Sequence, residues 1–276
     1  MKGRNRYYRL DPKSILAFLL ASLSFGAFAD IVVGNGQVET ENRELPAFRA
    51  IDVGGAATLK VHRGAQRIEI CSDSNILPYI TTTVSGGELT IGLKPLTSIM
   101  GSTAMRFDIT VPELEGIRLS GSGQAYIDPF DGDSFSGVVS GSVRVKAPGL
   151  AYSKASLSFS GSGALDSTVK AETLDLRCTG SGALRLSGKA DRAEIAVSGS
   201  ADIGARDLAV QEARVEISGS GKVELRAVEI LDADISGSGS IKYWGSPSVS
   251  QRISGSGRIS RADGWPSRDD IQAEAP

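Results

Sequence analysis

Between residues 119 and 257 apolar and polar positions alternate with a period of two, and a short Ser/Gly tetrad interrupts them every 18 to 20 residues. The eight tetrads begin at Ser120, Ser140, Ser160, Thr179, Ser198, Ser218, Ser236 and Ser254. The residue before each is Leu119, Val139, Phe159, Cys178, Val197, Ile217, Ile235 or Ile253. Two places after the tetrads stand Ala125, Val145, Leu165, Leu184, Ile203, Val223, Ile241 and Ile259. Neither column has a polar member, as expected where equivalent residues stack. Runs such as Leu174-Asp175-Leu176-Arg177-Cys178 flank the tetrads with short strands whose alternate side chains point inward. A fixed period near 20 residues is the mark of a solenoid, in which each coil buries its apolar face against its neighbours. A leucine-rich repeat of similar length would carry its own leucine and asparagine spacing and a helical or turn-rich return, and neither is present. The pattern predicts an all-β solenoid of about 20 residues per coil.

The first Gly is present in all eight tetrads, whereas the second gives way to Val143 and Ala201. The first site is therefore the stricter one. That is expected where the backbone takes positive φ, or where successive coils leave no space for a Cβ, with the Ser hydroxyls free to bond nearby backbone. Eight coils about 4.8 Å apart make a rod on the order of 40 Å long. Each inward side chain contributes roughly 1.5 to 3 kcal/mol before entropy is counted.

Upstream the pattern loosens. Ile51-Asp52-Val53-Gly54-Gly55-Ala56-Ala57-Thr58-Leu59-Lys60-Val61 reads as a degenerate tetrad coil, with Val53 and Leu59 in the two columns, so the solenoid is expected to start here. Strand patterns follow at 68–70, 80–84, 89–93 and 107–111, and Gly86-Gly87 between two of them signals a hairpin. These predict longer, partly antiparallel strands, joined to the regular coils through Pro112, Leu114, Ile117 and Leu119, with Pro95–Ala104 as a loop. Residues 30–265 are read as one domain, irregular over 30–118 and regular over 119–260, with 266–276 as a disordered tail.

The first 29 residues carry Lys2, Arg4, Arg6, Arg9 and Lys13, an apolar run from Ile15 to Phe28, and Ala27-Phe28-Ala29 before Asp30. This is the layout of a secretory signal peptide with an A-x-A cleavage site. The run is broken by Ser22, Ser24 and Gly26 and is shorter than a membrane span requires. Its removal takes away five positive charges and the carboxylate of Asp11, moving the formal charge from −2 to −6. A mildly acidic chain without a basic stripe excludes nucleic acid as a partner. The expectation is an exported protein of the bacterial periplasm or cell surface, with no membrane span after cleavage. Export permits disulfides. Cys178, however, stands in an all-apolar column and is read as a buried free thiol, with pairing to Cys71 as the less favoured alternative.

The order of these features resembles a known family. Phe48-Arg49-Ala50-Ile51-Asp52-Val53 with its glycine turn, Gly87-Glu88-Leu89-Thr90-Ile91, the tetrad series, and Tyr243-Trp244-Gly245-Ser246-Pro247 before Ile253-Ser254-Gly255-Ser256-Gly257 are similar to the bacterial head GIN domain, described as a putative autotransporter adhesin. The resemblance covers nearly all of 45–260 and implies a right-handed parallel β-helix on the cell envelope, with an adhesive role. It implies no catalytic residues and no cofactor. An autotransporter also needs a C-terminal membrane barrel, for which a solenoid of this length leaves no room in 276 residues.

Candidate chemistry is sparse. The single histidine, His62, has no second His or Cys nearby in sequence to complete a triad or a metal site. Ser-Gly-Ser-Gly in a solenoid turn is not a nucleophile elbow between strand and helix. Calcium-binding nonapeptide solenoids place Asp after the glycines, where this chain has Gln124, Ala164, Ala183 or Lys222. Asp128, Asp131 and Asp133 lie at a coil corner dense enough to hold one calcium ion, although an acidic Pro/Gly turn is more often simply solvated. Arg144, Arg177, Arg185, Arg206, Arg214 and Arg226 alternate with Asp175, Glu194, Glu216 and Glu224 at outward positions, where mixed charge keeps a sheet soluble. No catalytic, cofactor or metal residue is assigned. The leading expectation is a non-catalytic envelope protein whose flat β face binds a surface glycan or another envelope protein. A carbohydrate-active β-helix enzyme and an accessory subunit of an envelope complex are the alternatives.

Overall fold

The computed structural model describes residues 30–101 and 105–262; the expected signal peptide at 1–29 and tail at 266–276 lie outside them. Its first eight strands are β1 (Asp30–Val33), β2 (Val38–Asn42), β3 (Ala50–Arg63), β4 (Arg67–Asp73), β5 (Ile80–Ser85), β6 (Glu88–Leu93), β7 (Thr97–Met100) and β8 (Met105–Val111). The rest are β9 (Gly116–Ile127), β10 (Phe130–Gly161), β11 (Ala164–Gly180), β12 (Ala183–Gly199), β13 (Asp202–Gly219), β14 (Lys222–Gly237), β15 (Ser240–Trp244), β16 (Ser248–Gly255) and β17 (Arg258–Arg261). Among the described residues the only helical element is a 3-10 turn at Leu77–Tyr79. The long strands are successive coils, each bent at its corners and paired in parallel with the coils before and after it. They form a β-solenoid of about 7 turns.

The sequence columns are real columns. Cys178 pairs with Val197, Val197 with Ile217, and Ile217 with Ile235, and all four side chains are buried. Along one coil, Leu165, Ser167, Val169 and Ala171 point inward, the alternation breaks at exposed Glu172-Thr173, and Leu174, Leu176 and Cys178 resume it. Slack in the repeat length is taken up away from the tetrads, where register shifts fall between Ala147 and Leu150 and between Ala205 and Ala209. At the last coil the expectation fails in one respect. Ile253 is 42% exposed and Ile259 only half-buried, because among the described residues no further coil covers them.

Both reasons proposed for the first glycine hold. Gly199, Gly219 and Gly237 have φ between +125° and +126°, and a Cβ on any of them would lie 2.6 Å from the carbonyl oxygen of the equivalent glycine one coil earlier. That oxygen is in use. The N–H groups of Ser200, Ser220 and Ser238 donate to the carbonyls of Gly180, Gly199 and Gly219 at 2.8–2.9 Å, so each tetrad is bonded to the one below it. At the second glycine only Gly123 has positive φ, and Val143 and Ala201 are accommodated at this position as buried side chains.

The N-terminal part begins with a coil in the same register. β3 pairs with β9 from Ala50↔Gly116 to Val61↔Ile127, placing Gly55 opposite Gly121 and Val53 opposite Leu119, as the degenerate tetrad predicts. On its other side β3 meets two different strands: β6 covers Ala50–Val53, and β8 covers Thr58–Arg63. β4 is antiparallel to β8, and β2 to β4; β5 and β6 form the hairpin expected at Gly86-Gly87, whose φ angles are +59° and +78°. One element departs from expectation. Within Pro95–Ala104, read as loop, Thr97–Met100 is a strand pairing in parallel with Asp30–Val33, a partner nearly 70 positions away that no local pattern could announce. Tyr152 links the two parts: its ring lies 5.2 Å from that of Phe135 and its hydroxyl donates to the Leu114 carbonyl at 2.5 Å.

Candidate binding surfaces

The outward positions of the regular coils carry charge in rows, because strands in parallel register bring every twentieth residue or so side by side. Arg177 pairs with Asp175 at 3.1 Å and Arg192 with Glu212 at 3.0 Å. Arg214 reaches Glu216 at 2.6 Å within its own strand and Asp232 at 3.6 Å on the next coil. Arg252 meets Asp234 at 3.0 Å, and Lys222 meets Glu224 at 2.6 Å, which raises the lysine pKa. Arg206 stacks over the Trp244 ring at 5.0 Å. Solvent screens these exposed pairs, so their role is to set the surface charge rather than to hold the fold. Of the arginines in the alternation read from sequence, Arg177 and Arg214 pair with its acidic members Asp175 and Glu216.

The acidic corner does not gather its three carboxylates. Asp128 lies 3.0 Å from His62 Nδ1 on the neighbouring coil, and Asp131 forms a close ion pair with Arg63, while Asp133 is exposed. His62 also has Asp108 at 3.9 Å from its Nε2. The histidine and the acidic turn, unconnected in the sequence reading, therefore form one exposed charge cluster, brought together by the pairing of β3 with β9 and β8. Among the described residues no group of three or more His, Cys, Asp or Glu is placed to hold a metal ion. Cys71 and Cys178 are both buried and free, and burial pushes the Cys178 thiol pKa up.

A different site escaped the sequence reading. Where β3 passes from β6 to β8, no strand among the described residues lies over Gly54–Ala57, and a cleft of about 590 Å³ opens there. Its walls are Ile80, Ile91, Leu93, Ile99, Met105 and Phe107, its floor is the first tetrad, and Ser122 and Gln124 of the next coil stand at one side. Among the described residues, none that lines it is charged. Ile80, Ile91, Leu93 and Phe107 lie in strand patterns of the sequence, whereas Ile99 falls in the segment read as loop, and the void itself follows only from the divergence of β6 and β8.

Residues 47–247 match the family described as putative auto-transporter adhesin, head GIN domain. The chain belongs to this family. Among solved structures, the head GIN chain is similar to one from Parabacteroides distasonis titled a putative lipid binding protein, at 29% identity and a TM-score of 0.81, over 85% of this chain and 100% of that one. A putative adhesin from the same organism matches at 25% identity and TM-score 0.81, over 84% and 100% of the two chains. A putative adhesin from Parabacteroides merdae matches at 26% and 0.74, over 85% and 100%. No curated protein matches. The family and these neighbours are in keeping with an adhesin-like role for the head GIN solenoid at the cell envelope or surface.

Proposed function

We propose that this head GIN protein is an exported, non-catalytic envelope protein that uses its solenoid as a rigid surface for binding a glycan or another envelope protein. The observation that carries this reading is the outward face of the regular coils, where side chains repeat in parallel register on a backbone bonded coil to coil. Such a face offers many equivalent, pre-ordered contacts, which suits a repetitive or extended partner. The adhesin descriptions of the family and of two neighbours support it. The charge clusters on that face are committed to ion pairs rather than converging on a reacting atom. The test is to purify the protein from cells expressing the full chain and to incubate it with bacterial and plant polysaccharides and with solubilised envelope proteins, with and without calcium. Retention without cleavage supports the reading. New chain ends would make it a carbohydrate-active enzyme instead, and a stoichiometric membrane partner with no glycan retention would make it an accessory subunit.

A second reading is favoured by the cleft. An apolar, uncharged cavity of about 590 Å³ is suited to an aliphatic chain, and a neighbour covered over its whole length is titled a putative lipid binding protein.

A further inference from the structure

We infer that the cleft above the first tetrad is a binding site for a single-chain fatty acid, its aliphatic chain between β6 and β8 and its carboxylate on the uncovered backbone of Gly55-Ala56. The inference rests on the second reading above and assigns it a place, an orientation and a headgroup.

The volume comes first. About 590 Å³ falls within the range of roughly 300 to 1,000 Å³ typical of small-ligand sites, which are mostly apolar with a few placed polar groups. Ile91, Leu93, Ile99, Met105 and Phe107 supply apolar wall from three strands, β6, β7 and β8. The thioether of Met105 adds an adaptable surface of the kind that fits flexible chains.

The polar feature is a consequence of the stacking rule. In the regular coils the third residue of each tetrad donates its N–H to the carbonyl of the first glycine one coil earlier, as Ser162, Ser181, Ser200, Ser220, Ser238 and Ser256 all do. Ala56 is the third residue of the first tetrad, opposite Ser122. Among the described residues no earlier tetrad stands over it, since β6 ends its pairing at Val53 and β8 begins at Thr58. Its N–H is therefore aimed into the cleft with no coil to receive it. Gly55 beside it has φ +101°, and a Cβ there would meet nothing within 4 Å, so the backbone is open to close approach. A donor facing a cleft with no carboxylate among its lining residues complements an anionic oxygen. Thr58, Ser122 and Gln124 also line the cleft.

Other occupants fit less well. An extended peptide would need a longer free edge than the four residues Gly54–Ala57, and a glycan would need polar side chains where the walls are apolar.

The test uses cis-parinaric acid, whose fluorescence rises in an apolar site, with protein purified from cells expressing the full chain. Saturable binding, displacement by palmitic acid, and binding of methyl palmitate about tenfold weaker or worse are expected, the last from loss of the charged hydrogen bond. Ala57→Leu adds bulk to the cleft floor at a position where other coils accept Val143 and Ala201. With the melting temperature unchanged, it should weaken binding at least tenfold. Should Ala57→Leu fail to fold, the acid and ester comparison carries the test alone. Equal affinity for acid and ester would overturn the headgroup assignment. Undiminished binding by a folded Ala57→Leu would overturn the site while leaving lipid binding standing. No binding of the probe would end both this inference and the second reading, and binding to phospholipid vesicles without binding of the free acid would replace the cleft with a membrane-contact surface.

Discussion

The tetrad at Gly54–Ala57 and the tetrad at Ser198–Ala201 both turn at a glycine of positive φ, yet one lines a cavity and the other is packed against the coil before it. Gly55 and Gly199 both sit at positive φ, +101° and +125°. They differ only in what lies on the upstream side. For Gly199 it is the Gly180 backbone, close enough that a Cβ would be 2.6 Å from the carbonyl oxygen; for Gly55 it is open space. A local conformation that serves stacking in the middle of a solenoid thus becomes a recess with a free donor at its beginning. The two ends also differ from each other: the N-terminal coil is roofed at both sides of its tetrad by β6 and β8, while the C-terminal coil leaves Ile253 42% exposed.

Replacing the stacked glycine gives the largest expected effect. Gly199→Ala combines left-handed backbone strain with a clash against the coil below, and should destabilise by about 3 to 4 kcal/mol. A urea unfolding midpoint close to that of the native chain would show that the close approach is not what selects glycine. Next comes a column residue: Ile217→Ala, at 2% exposure, should cost about 3 kcal/mol through lost burial and a residual cavity. Gly55→Ala meets strain without a clash and should cost about 1 to 2 kcal/mol. If it matches Gly199→Ala, the upstream neighbour is irrelevant and the comparison collapses. The smallest change is expected for Ile253→Ala, under about 1 kcal/mol, since its side chain is already in contact with solvent; a cost equal to that of Ile217→Ala would mean that something covers the last coil in solution.

The regular coils were legible because every turn repeats the same test. Leu119, Val139 and the rest of their column could each have been polar and none was, and a period of two with bends at Gly needs no distant information. Ile253 shows the limit: its identity belongs to the column, but its burial depends on a next coil. Thr97–Met100 and the cleft were not legible, and for the same reason. Both are made by strands meeting or parting across long sequence separations, β7 with β1 and β6 from β8, and no residue in them is unusual for its own neighbourhood. The joining of His62 to Asp128 is likewise a matter of register between strands 66 residues apart.

The tetrad ladder gives the molecule a fixed datum line. Every turn is referenced to the same row of glycine carbonyls, and differences in repeat length are absorbed at the corner near Ala147–Leu150 and Ala205–Ala209. Length and ornament are therefore separable: a whole turn cut from one tetrad to the next would shorten the rod by one rung while leaving its cross-section intact, and added residues at the far corner would project outward without disturbing the rungs.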